Sequence, residues 1–217
     1  MLKVRLNLRK VVATAICLAG TTVFSGCDKD DKEPPQDPLT YDEGVVINGV
    51  KWATRNVAAP GTFAIKPEDA GMFYQWNRKT AWAITGNVTG WDTSKPEGDI
   101  WEKSNDPSPA GWHVPTLDEI EALLDAEKVT SGWIAINGIN GRKFTDKTSG
   151  NSIFLFPAGC RMPIDGLFDG NGLWGNYWSS EQKGEHWACH LSFDDNVAEL
   201  LTYNMRGYGF CVRSVAD

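Results

Sequence analysis

The sequence predicts an α+β domain, rich in loops, in which short antiparallel strands surround one main helix at about residues 116–127. One capping box, Thr116-Leu117-Asp118-Glu119, precedes the only sustained helical period, in which Leu117, Ile120, Leu123 and Leu124 recur on one face. The remaining apolar runs are short and bounded by turn residues, as strands are. Ten Trp and 22 Gly among 217 residues point to an aromatic core threaded by loops rather than a helical bundle. No heptad and no internal repeat is present.

In chain order, Val45–Ile47 and Val50–Ala53 are expected to pair through Asn48-Gly49, a type I′ hairpin signal. Met72–Trp76 reads as the next strand. Residues 77–109, Asn77 to Pro109, show no period and carry Gly, Pro and Asp, the marks of a long loop excursion. Pro115 ends the extended segment before the helix. Further strands are expected at Lys143–Thr145, Ile153–Phe156, Trp187–Phe193, Val197–Leu201 and Tyr208–Val215.

The N-terminus reads as a lipoprotein signal peptide over residues 1–26. Lys3, Arg5, Arg9 and Lys10 form a positive region, Val11 to Phe24 a short apolar run, and Ser25-Gly26 supply small residues before Cys27. The run is shorter than the roughly 20 residues of a membrane-spanning helix. Cys27 is therefore the expected lipidation site, and acyl chains on it would hold the protein at a bilayer. Residues 27–43 follow as an acidic, Pro-rich tether. Acidic residues just after the cysteine resemble the surface-export signal of Bacteroidota lipoproteins, which implies the outer membrane and its extracellular side. Asp28 also resembles the inner-membrane retention signal of enteric bacteria. From Cys27 onward the chain holds 17 basic and 28 acidic residues, a net charge of −11. Such a surface repels phosphate backbones and argues against nucleic acid as a partner.

Residues 44–217 contain five motifs in a fixed order: Val50-Lys51-Trp52-Ala53-Thr54-Arg55-Asn56-Val57, Gly71-Met72-Phe73-Tyr74-Gln75-Trp76, Gly111-Trp112-His113-Val114-Pro115-Thr116, Tyr177-Trp178-Ser179-Ser180 and Gly209-Phe210-Cys211-Val212-Arg213. Together they resemble the Fibrobacter succinogenes major paralogous domain, a family of secreted and lipid-anchored bacterial surface proteins. The resemblance implies a C-type lectin-like fold, related to that of formylglycine-generating enzymes, used as a surface display scaffold without a catalytic residue set. Many relatives carry a cysteine where this chain has Ser108, before Gly-Trp-His-Val-Pro, and another where it has Ser214. Loss of both is expected if the two normally pair. Cys189 and Cys211, each on a C-terminal strand, are then the candidates for a replacement disulfide; the alternative is three buried thiols, Cys160 included.

Enzyme and metal chemistry find little in these residues. His186 and His190 are four apart, a zinc spacing on a helix, but Trp187 stands where a zincin needs its glutamate. The alternation Trp187, Cys189, Leu191, Phe193 argues for a strand, on which those histidines lie about 13 Å apart. His113 reads as a structural residue beside a turn. No cysteine matches the catalytic pair of the formylglycine-generating relatives, so an oxidase of that type is the lesser alternative. Asp165, Asp169 and Asn171 are spaced closely enough to ligate calcium, yet suit plain turns equally. No cofactor and no metal is therefore expected.

Binding remains. Trp52, Trp76, Trp112, Trp178 and Trp187 are expected in the core. Trp82, Trp91, Trp101, Trp133 and Trp174 lie in loop-like sequence, where flat aromatic faces suit sugar rings or protein hot spots. In lectin-like scaffolds the C-terminal strands and loops build the binding face, and in some relatives diversity-generating retroelements vary that region. Here the ligand-binding candidates are His190, Asn196, Tyr203, Asn204, Arg206, Tyr208 and Trp174, of which His190, Tyr203, Asn204 and Tyr208 are expected to converge on one exposed face, with the excursion from Asn77 to Pro109 as the other place to look. The expected partner is a glycan or a protein at the cell surface. The alternative role is a structural or adhesin subunit of a surface assembly.

Overall fold

Thr116 caps the helix as the sequence requires. In the computed structural model, which describes residues 36–170 and 172–217 and all their side chains but those of Thr202 and Tyr203, α1 spans Leu117–Leu124. Glu119 N donates to Thr116 Oγ1 (3.3 Å) and Thr116 N to Glu119 Oε2 (2.7 Å), satisfying two free amides of the first turn. Ile120 and Leu123 are buried. The helix stops three residues before the expected end. Asp125 turns extended, and its carboxylate accepts from Glu127 N at 2.8 Å, which draws the chain out of the helix.

The strands are β1 (Val45–Ile47), β2 (Val50–Trp52), β3 (Tyr74–Gln75), β4 (Trp112–His113), β5 (Val129–Ile136), β6 (Ile139–Asp146), β7 (Ser152–Leu155), β8 (Cys160–Arg161), β9 (Phe168–Asp169), β10 (Gly175–Gln182), β11 (Trp187–Phe193), β12 (Ala198–Met205), β13 (Gly209–Phe210) and β14 (Val215–Ala216). They form four small antiparallel sheets, ordered β1-β2-β14-β4, β10-β11-β12, β3-β13-β8-β9 and β5-β6-β7. The α+β, loop-rich class is as expected. Asn48 and Gly49 both take positive φ (45° and 83°), and β1 pairs with β2 around them. Asn137-Gly138 repeats that geometry (52° and 80°) and closes the β5–β6 hairpin, of which only the middle of β6 was expected. The same turn signal stood in the sequence, but Ser131 and Gly132 interrupt the apolar pattern of β5.

The sheet β10-β11-β12 divides the interior. Tyr177, Leu191 and Phe193 join a cluster with Trp52, Phe73, Ile120, Leu123 and Phe144. Trp178 and Ala188 join a second one with Tyr74, Trp76, Trp101, Phe210 and Val212. Trp178 is fully buried and donates from Nε1 to Tyr74 O at 2.8 Å. Burying a side chain of that size contributes about 4–6 kcal/mol, at some 25 cal/mol per Å².

Loops make up much of this domain, and their carbonyls need donors. Four buried arginines supply them, Arg142 donating to the carbonyl of Asp194 at 2.9 Å. Arg161 donates to the carbonyls of Ala83, Thr85, Gly86 and Gly166. Arg213 donates to Asn56 Oδ1 and to the carbonyls of Ala53 and Phe154. Arg206 does the same beside the candidate site. The guanidinium fork suits this because one side chain meets several carbonyls in a plane.

The first described residues, from Gln36 on, are tied to the rest of the compact unit. Buried Asp42 accepts from Thr54 and from Arg55 Nε (3.0 Å), and Arg55 also donates to the carbonyls of Pro38, Tyr41 and Ala64. These bonds hold residues 37–44 against the domain although they contribute few apolar side chains. Cys27 lies outside the described residues. Among those described, no helix is long and apolar enough to cross a membrane.

Candidate functional site

The excursion from Asn77 to Pro109 is irregular but anchored throughout. Phe73 pairs with Trp82, and Ile100 with Glu181. Gln75 Nε2 donates to Asp92 O (2.7 Å), Trp91 Nε1 to Pro163 O (3.1 Å) and Asn77 Nδ2 to Glu97 O (2.7 Å). Arg206 fixes its middle. From beneath, the guanidinium donates to the carbonyls of Pro96 (3.3 Å) and Gly98 (2.8 Å), to those of Gly184 (2.8 Å) and Trp187 (3.3 Å), and to Gln182 Oε1 (2.7 Å). One buried cation thus clamps residues 96–98 to both ends of the β10–β11 turn.

The result is an open groove of about 680 Å³ between Thr93–Pro96, the Pro163–Ile164 loop and the paired ends of β11 and β12. Trp187 and Met205 are direct partners across those strands and are 42% and 41% exposed; Ile164, opposite, is 76% exposed. Such side chains cost free energy in water and gain it when covered. Trp187 was expected in the core; it stands instead exposed at the first position of β11. β10 bulges after Trp178 and regains its register at Gln182, opposite Ala188, and Lys183 N then donates to Trp187 O at 2.8 Å, so the Trp187 backbone is paired while its side chain stands in the groove.

Two further hollows adjoin the groove. Lys95 and Arg206 line both the groove and a hollow containing Glu97, Asp99 and Glu185. Ser94, Lys95 and Pro96 are shared with the other hollow, which contains Glu97 and Glu102. Lys95 pairs with Glu185, whose pKa is lowered by that hydrogen bond and by the charge of Lys95. Among the described residues, Glu97, Asp99 and Glu102 make no ion pair.

The expected binding residues do not converge. His190 is buried, with its ring 5.9 Å from that of Trp178 and 4.9 Å from that of Phe210. Alternation placed it opposite Leu191 and Phe193, but that face meets the second aromatic cluster instead of solvent. Burial pushes its pKa down to about 4, and neither ring nitrogen makes a hydrogen bond of acceptable geometry. Arg206 is also buried and acts on loop carbonyls, so it positions the groove rather than meeting a ligand. Asn196 is exposed in the β11–β12 turn, where its N donates to Asp194 Oδ1. That turn lies about 20 Å along the strand from Trp187. Asn204 is half-buried and accepts from Met205 N; Tyr208 is half-buried and packs on Phe210 at 5.4 Å. The Tyr203 side chain lies outside the described residues. Trp174 is half-buried beside Gly170, where a Cβ would sit 2.2 Å from its ring.

The loop tryptophans are absorbed into packing. Trp82 and Trp101 are buried, Trp101 donating to Asn105 O at 3.0 Å, while Trp91 lies 4.8 Å from Trp82. The expected Cys189–Cys211 bridge is not made, and Cys160, Cys189 and Cys211 are free and buried. Cys211 pairs with Tyr177 on one edge of β10, and β11 occupies the other. Two strand spacings, about 10 Å, exceed the reach of a disulfide. Asp165 Oδ1 accepts from Leu167 N in a plain turn, and Asn171 lies outside the described residues. No group of three or more metal-ligating side chains occurs among the described residues.

Sequence reasoning missed Ile164 and Met205, and reached the Thr93–Asp99 ledge only as part of the wider excursion named as the other place to look. The available signal was the excursion itself, where Lys95-Pro96-Glu97-Gly98-Asp99 sets charges around two chain-stiffening or turn-forming residues. Comparison with protein-family models, with curated proteins and with solved structures finds no match to this chain.

Proposed function

We propose that this chain is a lipid-anchored surface protein whose domain is a non-catalytic, C-type lectin-like module of the Fibrobacter succinogenes major paralogous type, recognising a glycan or a protein in the Trp187 groove. The exposed Trp187–Met205 pair carries the binding reading, since a large aromatic and a methionine side by side in a concavity form the usual core of a recognition site. Anchoring rests on Ser25-Gly26-Cys27 behind a basic and apolar leader. The family reading rests on the five ordered motifs. It gains support from Ser108 and Ser214, whose hydroxyls lie 2.8 Å apart where relatives are expected to pair two cysteines.

The test is a screen of the full chain and of Trp187→Ala against arrayed oligosaccharides and displayed peptides. A ligand bound at least tenfold more weakly by Trp187→Ala, with an unchanged melting temperature, supports the groove. If every ligand found binds the variant as it binds the natural chain, recognition lies elsewhere.

A further inference from the structure

We infer that the groove takes a protein segment that presents an apolar side chain next to a lysine or arginine. This rests on the reading of the Trp187 groove as the recognition site and narrows its partner. The walls are the first reason. Beside Trp187 stand Met205, Ile164 and Pro163, which offer aliphatic surface but no hydrogen bonds from their side chains, while Thr93, Ser94, Lys95 and His186 line the rest of the groove. A sugar ring stacked on Trp187 needs polar side chains within reach of its hydroxyls. On the Ile164–Met205 side it would meet only hydrocarbon, and its hydroxyls would lose water without replacement. An aliphatic or aromatic side chain of a peptide loses nothing there.

Charge is the second reason. The adjoining hollows place Glu97, Asp99, Glu102 and Glu185 around the same ledge, against the cations Arg78, Lys95 and Arg206; Arg78 is neutralised by its ion pair with Asp92, which leaves two net negative charges. The chain of Arg206 donors is already spent on carbonyls, and Lys95 is held by Glu185. Glu97 and Asp99 face solvent and make no ion pair among the described residues, although Asp99 lies in the field of Arg206 and accepts from Gln182 Nε2 at 3.4 Å. A lysine or arginine one or two residues from the apolar side chain would reach them across Lys95, the residue common to all three hollows. The exposed Lys95–Glu185 pair is a weak barrier, because exposed ion pairs contribute little.

The experiment selects a phage-displayed random peptide library on the full chain. The enriched sequences are then measured as synthetic peptides against Trp187→Ala and the double variant Glu97→Gln/Asp99→Asn. Enrichment of an apolar residue within two positions of Lys or Arg is expected. Binding should weaken at least tenfold in Trp187→Ala. It should fall about threefold or more in the double variant and on raising NaCl from about 0.05 to about 0.5 M, where screening shortens the reach of the carboxylates. All these substitutions are on exposed side chains, so melting temperatures should stay put. No enrichment, or enrichment of acidic or uncharged sequences, overturns the inference. Trp187-dependent binding of arrayed oligosaccharides without such peptides also overturns it, yet leaves the groove as the site. Basic–apolar peptides that bind Trp187→Ala normally overturn both.

Discussion

Ser214 Oγ donates to Ser108 Oγ at 2.8 Å, joining positions 106 residues apart at the place where the β14 segment meets the end of the excursion. Neither residue belongs to a regular element, and both are held by their neighbours. Ser108 N donates to Asp106 Oδ1, and Ser214 O accepts from Ala53 N. Two hydroxyls already in contact mark a site where two sulfurs fit. The double variant Ser108→Cys/Ser214→Cys should oxidise to an intramolecular disulfide and gain about 2–4 kcal/mol. Melting with and without reductant, alongside thiol titration, reads this directly. Two free thiols after oxidation would show that the backbone spacing does not suit a disulfide.

Arg206 binds the groove into one piece, its guanidinium carbon 4.4 Å from the Trp76 ring centre as well as bonded to four loop carbonyls. Arg206→Met keeps the stem but leaves those carbonyls without donors, at roughly 3 kcal/mol or more in total. Denaturant unfolding should show that loss. Hydrogen exchange should quicken first around Pro96–Gly98 and Gly184–Trp187. Unchanged exchange in those two segments would show that other bonds hold them.

Two histidines should tilt the pH dependence of stability in opposite directions. His190 has a folded pKa pushed by burial down to about 4, below the ordinary value near 6.5. Its unfolded form binds a proton first, so stability is full above about pH 6.5 and falls as pH drops toward 4, by up to about 3 kcal/mol. His113 is the reverse. Its Nε2 lies 3.3 Å from Glu119 Oε2 and its Nδ1 2.9 Å from Asp217 Oδ1, and the hydrogen bond to Glu119 leads the causes that raise its pKa. Its contribution is complete below about pH 6.5 and lost as pH rises through the raised value. His190→Leu should flatten the acid limb of the stability profile, whereas His113→Asn should cost stability at pH 5.5 and little at pH 8.5. Parallel profiles for both variants and the natural chain would contradict the assignment.

Cys27→Ser should abolish labelling by a fatty-acid analogue and release the protein from membranes. Undiminished labelling of that variant would remove the anchoring reading. Protease added to intact cells should cut within residues 28–36 if the protein faces outward, and full protection would place it inside.

Local rules made the helix start legible, because a capping box is written in four consecutive residues and needs no distant partner. The same holds for the Asn48-Gly49 hairpin, and for the burial of Trp52, Trp76, Trp112 and Trp178 within their motifs. The sequence by itself therefore determined the α+β class, the aromatic core and the places where the chain must turn. Tertiary structure alone decided which side chains reach solvent. Alternation along β11 correctly separates His190 from Leu191, but it cannot say that a second aromatic cluster covers the His190 face. Nor can it say that Trp187, at the start of that strand, stands exposed in a groove. The groove is likewise invisible along the chain, since its walls come from residues 93–96, 163–164, 186–187 and 205–207. Long-range bonds from one buried arginine hold two of those walls together, and such bonds leave no periodic trace in a sequence.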